Sequence, residues 1–174
     1  MKMFKRFAAA LLAGVMVLAM LTACGGAGAS TIGEEFENKY IATLNTLRGE
    51  DAEKLENDTD MRNKALAQLA KIKEDGTIAA PDANTSIVTP SADGKSVTVV
   101  FISVATKGQP VNGVVQAEEI TAAFLDRITT DGANEDTVAS MRAVKKIGIA
   151  TKVINGKTYA AVAIEMVQPV SNKT

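Results

Sequence analysis

Two stretches in the first half of the chain repeat apolar residues every three or four positions, as one face of an α-helix does. The first covers positions 36–47, has acidic residues in its first turn and stops at Gly49. The second covers 59–75, with Asp58 or Thr59 as its N-cap. The spacing predicts two amphipathic helices that each pack on another layer.

The middle of the chain changes to a strand pattern. Positions 85–89 predict a short strand, and the Asp93-Gly94 pair that follows is a hairpin signal. Positions 97–105, VTVVFISVA, are apolar on both faces, which is typical of a central strand covered on both sides. The glycines and proline of 108–113 predict a loop.

The last third alternates between the two patterns. Apolar spacing predicts a helix over 118–130 and a shorter one over 135–144. Two β-prone stretches within 146–168 flank Asn155-Gly156, a pair suited to the positive φ angles of a type I′ turn. The order of elements predicts an α+β fold, a mainly antiparallel sheet with helices packed on it.

The first 23 residues have the organisation of a secretory signal. Lys2, Lys5 and Arg6 precede an apolar run over 7–23 that only Thr22 interrupts. The run also allows an uncleaved membrane anchor, because helical residues rise ~1.5 Å each and 17 of them approach the ~30 Å of a bilayer core. A plain secreted protein is the third alternative.

The run ends at Leu21-Thr22-Ala23-Cys24, which resembles a bacterial lipobox and holds the only cysteine of the chain. The resemblance implies that the Cys24 sulfur receives a diacylglyceryl group and becomes the first residue of the mature protein. Additional acylation, for example with palmitate, would make the anchor stable. We therefore expect a lipid-anchored protein of the cell membrane that faces outside the cytoplasm.

These features divide the chain into four parts. Residues 1–23 are the predicted lipoprotein signal peptide, and 24–32 are the lipidated Cys24 with a flexible, glycine-rich tether. Residues 33–170 are expected to form a single α+β domain, and 171–174 a frayed tail.

Composition restricts the chemistry that the domain can perform. Loss of the signal removes three of the 19 basic residues and none of the 20 acidic ones, which leaves a net charge of −4. An acidic chain without a basic cluster argues against nucleic-acid binding. The chain has no histidine and no second cysteine, so the commonest general base and the thiolate metal ligands are missing. We assign no catalytic residue, cofactor or metal.

The charged pairs have structural interpretations. Glu118–Glu119 would complement the dipole at the start of the helix over 118–130, and Asp58 and Asp60 would cap the second helix. Lys145–Lys146 would satisfy the dipole at the end of the helix over 135–144. Ser140 lies in no nucleophile motif. The methionines of the domain, Met61, Met141 and Met166, are expected to fill the core.

Two pieces together resemble the CAP superfamily, which comprises cysteine-rich secretory proteins, antigens and pathogenesis-related proteins. Asn45 and Arg48, in LNTLR, resemble the family's opening helix, although their spacing also fits a solvated helix edge. The pieces that carry the resemblance are LNTLR with Leu55, Asp58 or Asp60, Met61 and Ala65, and IGIA at 147–150 with NGKTY at 155–159. The resemblance implies an α-β-α sandwich, but the family's cavity contains two histidines that this chain lacks.

Three functions follow as expectations. The first is a non-enzymatic lipoprotein domain that binds a cell-wall component or an envelope protein. The alternative is a CAP-like hydrolase or lipid-binding protein that uses carboxylates or an apolar groove between the two helices and the sheet. The third is a structural or assembly role, which an exposed apolar patch would indicate.

Overall fold

The computed structural model describes residues 31–169, which form five helices and seven strands. The predicted signal peptide, Cys24, all but the end of the tether and the 171–174 tail lie outside the described residues. The helices are α1 (Ile32–Arg48), α2 (Thr59–Leu69), α3 (Ala80–Ala83), α4 (Ala122–Asp126) and α5 (Glu135–Arg142). The strands are β1 (Thr77–Ala79), β2 (Asn84–Pro90), β3 (Ser96–Val104), β4 (Thr106–Val111), β5 (Val114–Ala117), β6 (Val144–Ile154) and β7 (Lys157–Pro169).

The strands form two antiparallel sheets. The main sheet has the order β2-β3-β7-β6, and a smaller sheet has the order β1-β5-β4. Helices pack on the main sheet, so the predicted α+β fold class is confirmed.

Helices cover both faces of the main sheet, and each face has its own apolar core. Ile164 of β7 packs in the core that α1, α4 and α5 share, whereas its neighbour Ala163 packs in the core under α2. This alternation follows from the two-residue period of a strand. The two predicted amphipathic helices therefore lie on opposite sides of one sheet.

The predicted stop of the first helix and the predicted N-cap of the second are present, but the second helix is shorter than expected. Gly49 ends α1 with φ = 85°, and a capping box that was not predicted joins Thr31 to Glu34 at its start. Asp58 caps α2 by accepting a hydrogen bond from the backbone of Met61. However, α2 ends at Leu69, not near residue 75, and buried Ile72 follows in a turn.

The predicted hairpins are confirmed. Asn155 and Gly156 have φ values of 49° and 76°, as a type I′ turn requires, and they join β6 to β7. Gly94, with φ = 67°, lies in the turn between β2 and β3. As predicted, β3 is a central strand between β2 and β7.

The loop predicted over 108–113 is wrong. The chain there forms the β4–β5 hairpin, whose turn residues Asn112 and Gly113 have φ values of 52° and 76°. The turn signal is the same Asn-Gly pair found between β6 and β7. It was missed because β4, TKGQPV, is almost wholly exposed and lacks apolar alternation.

The helix predicted over 118–130 is also wrong. Only α4, five residues long, is helical, and its N-cap is Thr121. Backbone hydrogen bonds from Glu118 to Ala105 and from Ile120 to Thr158 hold the preceding segment against the ends of β3 and β7. Glu118–Glu119 therefore precede the helix, and their predicted dipole role is wrong. Glu118 instead pairs with Arg127.

Gly148 of β6 lets α2 approach the sheet closely. A Cβ atom at this position would overlap the backbone of Met61 and Arg62 at the start of α2. Backbone atoms at a capped helix terminus cannot move aside as a flexible side chain can. The lack of a side chain at Gly148 therefore sets the distance between α2 and the sheet.

We predict that Gly148→Ala lowers the free energy of unfolding by about 3 kcal/mol or more, because overpacking against fixed backbone forces α2 away from β6. The measurement is urea denaturation of the mature chain. Gly94→Ala is the control, because an added methyl group there meets no atom within 4 Å. It should cost only the strain of a positive φ angle, about 1 kcal/mol. Equal losses for the two variants would contradict the close-approach explanation.

Candidate functional site

Charged side chains gather around a sizeable groove in the described residues. It has a volume of about 800 Å³ and lies between the segment that joins α1 to α2 and the junction of α5 with β6. Five basic and three acidic side chains line it, although the mature chain is acidic overall. We call it the charged groove; it is lined by Arg48, residues 52–59, Arg142 and residues 144–146.

Two asparagine side chains hold one wall of the charged groove in place. Asn45 of α1 pairs with both backbone groups of Leu55, with N–O distances of 2.9 and 2.8 Å. Asn57 pairs in the same manner with Ile149 of β6, at 3.0 and 2.8 Å. The backbone N–H of Asp58 also donates to the carbonyl of Ile147. The wall is thus a segment of extended chain attached to both α1 and the edge of β6.

Arg48 lies at the base of the charged groove and is only 6% exposed. Its guanidinium donates to the backbone carbonyls of Met141 and Val144 at 2.6 and 2.8 Å, and to that of Glu53 at 3.0 Å. Burial lowers its pKa, and the Glu53 carboxylate opposes that effect. The buried Nε–H has no hydrogen-bond partner among the described residues. Arg48 therefore caps α5 and fixes the groove wall at the same time.

Arg142 makes the reciprocal contact. Its Nε donates to the backbone carbonyl of Arg48 at 3.0 Å, and its guanidinium lies 3.2 Å from the Asp51 carboxylate. Each arginine thus satisfies backbone carbonyls at or just beyond the C-terminus of the other's helix. This exchange joins the ends of α1 and α5.

The contacts correct two expectations about polar residues. Asn45 and Arg48 do not form a solvated helix edge, because Asn45 binds the backbone of Leu55 and Arg48 is buried against the backbone of Met141, 93 residues away. The carbonyls at the end of α5 accept hydrogen bonds from Arg48, so the role predicted for Lys145–Lys146 is wrong. These lysines lie in β6, where Lys146 approaches the Asp58 carboxylate at 3.9 Å.

The remaining predicted residues have structural roles. Asp58 is the N-cap of α2, as expected, and Asp60 follows in its first turn. Ser140 is buried and its hydroxyl donates to the carbonyl of Asp136. The three domain methionines are buried in the core, as predicted: Met61, Met141 and Met166.

Two properties of residues 31–169 complete the description of possible sites. They contain no group of three or more histidine, cysteine or acidic side chains that could hold a metal ion. Within the same residues, no helix has the length and hydropathy needed to cross a membrane. Cys24, the predicted lipidation site, lies outside the part of the chain that the structure describes.

Comparisons with protein-family models, curated proteins and solved structures found no significant match to this chain. The lipobox and the CAP resemblance therefore stay predictions from the sequence. In this structure the two residues that suggested the CAP helix, Asn45 and Arg48, hold the groove wall and the end of α5.

We predict that Arg48→Met lowers the free energy of unfolding by about 3 kcal/mol, because it keeps the aliphatic stem but leaves buried carbonyls without donors. Arg127→Met is the control. Arg127 is half exposed, pairs with Glu118 and lies over the Phe124 ring, so its loss should cost about 1 kcal/mol. Urea denaturation of the mature variants measures both values. A loss for Arg48→Met no larger than that of the control would refute its role as a cap.

Proposed function

We propose that this protein is a lipoprotein anchored to the cell membrane through lipid on Cys24, with a non-enzymatic binding domain outside the cytoplasm. The observation that carries the proposal is the lipobox-like run Leu21-Thr22-Ala23-Cys24, directly after an apolar stretch with a basic start.

The start of the folded domain fits this proposal. Six residues, 25–30, separate Cys24 from Thr31, whose capping box begins α1. Fully extended, six residues span about 20 Å. A lipid on Cys24 would therefore hold the domain close to the bilayer surface, and the domain itself would stay outside the bilayer core.

The position of the charged groove supports a role in binding. It lies at the C-terminal end of α1, and a helix of 17 residues is about 25 Å long. The groove is thus separated from the tether by the length of α1. Partners in the envelope, such as cell-wall polymers or other proteins, could reach it while the lipid occupies the membrane.

The groove lining favours binding over the CAP-like alternative. That alternative requires an apolar groove between the two helices and the sheet, or carboxylates that converge in a deep cleft. In the described residues the two helices lie on opposite faces of the sheet, so they do not line one common groove. In the charged groove, Arg48, Asn57 and Asp58 are engaged with backbone, while Lys54 and Lys145 are exposed.

We expect Cys24→Ser to abolish the anchor. Without the sulfur no diacylglyceryl thioether forms, so the precursor should keep its signal peptide and incorporate no lipid. Metabolic labelling with an alkyne fatty acid and the mobility of the chain on a gel measure both effects. Ser30→Ala, in the same tether, is the control and should label normally. Undiminished lipid labelling of Cys24→Ser would sink the lipoprotein proposal.

We expect the charged groove to contribute to binding of anionic wall polymers. The double variant Lys145→Glu/Lys146→Glu changes the groove charge by four and should sediment less with purified bacterial cell-wall sacculi than the unchanged mature chain. Lys95→Glu/Lys107→Glu is the matched control, because it makes the same charge change on exposed positions outside the groove. Equal sedimentation of the two double variants would exclude this groove as the wall-binding surface.

A further inference from the structure

Three of the four strand edges within residues 31–169 are protected against pairing with another strand. The β6 edge is covered at Ile147 and Ile149 by the backbone of Asp58 and the side chain of Asn57, and it carries the charged Lys152 further along. The β4 edge carries Lys107, a positive-φ Gly108 and Pro110, and its register with β5 is shifted. The β1 edge is only three residues long. Charges, bulges, prolines, short strands and covering segments are the usual devices that prevent edge-to-edge association.

The fourth edge, β2, lacks these devices. Its seven residues, NTSIVTP, pair with β3 in unbroken register and contain no charged side chain. The only proline is the last residue, Pro90. The side chains of Ile87 and Val88 are 46% and 54% exposed, although both are large apolar residues in a strand of the main sheet. Among the described residues no strand pairs with the outer side of β2.

The two exposed aliphatic side chains of β2, Ile87 and Val88, continue both faces of the main sheet. Ile87 lies opposite Val100, which packs in the core under α2. Val88 lies opposite Val99, on the face where Phe101 packs against the α1 core. A strand added beside β2 would therefore cover apolar surface on both faces while satisfying the outer backbone groups.

We propose that the occupant is a second copy of this chain, whose β2 pairs antiparallel with the first. In an antiparallel pair about the central residue, Ile87 lies opposite Ile87 of the other copy, and Thr85 opposite Thr89. Such apolar and Thr–Thr pairs are favourable across strands. Because β2 is uncharged, two copies bring no like charges together there, although each mature chain has a net charge of −4.

The pairing joins two four-stranded sheets into one of eight strands with two-fold symmetry. An interface of this kind uses the same surface on both copies and closes after two. The pairing gives a specific form to the structural or assembly role that an exposed apolar patch would indicate. The pairing does not require lipid on Cys24, so it can hold or fail independently of the proposed anchor.

Cross-linking of the full-length protein through one introduced cysteine, in its own membranes, tests the pairing. Cysteine is introduced in turn at Thr85, Ser86, Ile87, Val88 and Thr89, and copper-phenanthroline is used as the oxidant. Dimers of twice the chain mass should peak at Ile87→Cys, weaken at the adjacent positions and be lost at Thr85 and Thr89. Loss is expected because residues two positions from the centre lie about 13 Å from their own copies.

The controls separate pairing from random collision. Gln109→Cys places a thiol on the exposed β4 edge. Its dimer yield should not exceed that of the unsubstituted chain. The unsubstituted chain measures any cross-linking through Cys24. Adding Val88→Lys to Ile87→Cys should abolish the dimer, because the new charges of the two copies then lie diagonally across the pair, on one face of the sheet. Val88 is exposed, so this change should leave the melting temperature of the monomer nearly unchanged.

Three results would overturn the proposal. The first is an equal dimer yield at Ile87 and Gln109. The second is a dimer that Val88→Lys does not reduce. The third is a cross-link from β2 to a different protein, which would make the edge a site for another partner's strand.

Discussion

A buried guanidinium group costs several kcal/mol unless hydrogen bonds satisfy it. The two terminal nitrogens of Arg48 find acceptors only because three parts of the chain come together around them. Its donors reach the carbonyls of Met141 and Val144 at the end of α5 and that of Glu53 after α1. Arg142 returns the contact by donating to the carbonyl of Arg48. The ends of two helices that lie more than 90 residues apart in the sequence are therefore fixed together, and the charged groove forms at their junction.

The strand β6 extends this constraint to the other side of the sheet. One of its faces packs under α1, Gly148 on the other face admits the start of α2, and its edge is covered through Asn57. Asn45 connects α1 to the same covering segment through Leu55. A displacement of that segment would therefore disturb both helix layers, because no strand of residues 31–169 pairs with the outer edge of β6. The groove wall is in this sense part of the core and not an independent loop.

The sequence predicted the elements whose signals are local. The Asn155-Gly156 turn, the apolar strand β3 and the capped start of α2 are determined by neighbours a few residues apart, and each was predicted. The helix predicted over 118–130 was wrong because the 118–120 segment is hydrogen-bonded to the ends of β3 and β7, and the apolar spacing there reflects those contacts. The β4–β5 hairpin was missed because exposed strands show no alternation, even though Asn112-Gly113 supplied the same turn signal.

The groove could not be predicted for a different reason. Arg48 satisfies carbonyls more than 90 residues away, and no spacing near residue 48 encodes such a contact. An arginine on a helix edge is exposed far more often than buried, so the sequence favoured the solvated interpretation. By contrast, the lack of charge in β2 was visible in the sequence. Its importance for pairing could be inferred only from the strand order, which places β2 at an edge of the sheet.

The proposed anchor and the proposed pairing together constrain how the molecule lies on a membrane. The two-fold axis of an antiparallel strand pair is perpendicular to the sheet, so two copies on one bilayer require that axis to follow the membrane normal. The joined sheet then lies roughly parallel to the bilayer, with one helix layer below it. The tether enters at Thr31 on α1, and six residues reach only about 20 Å. On these two proposals the α1 layer would face the membrane and the α2 layer the envelope. The charged groove, at the β6 edge opposite to β2, would then be reached from the side of the sheet. Confinement to the bilayer surface raises the effective concentration of β2 edges, so an interface of only seven residues per copy can be populated there even if it is weak in solution.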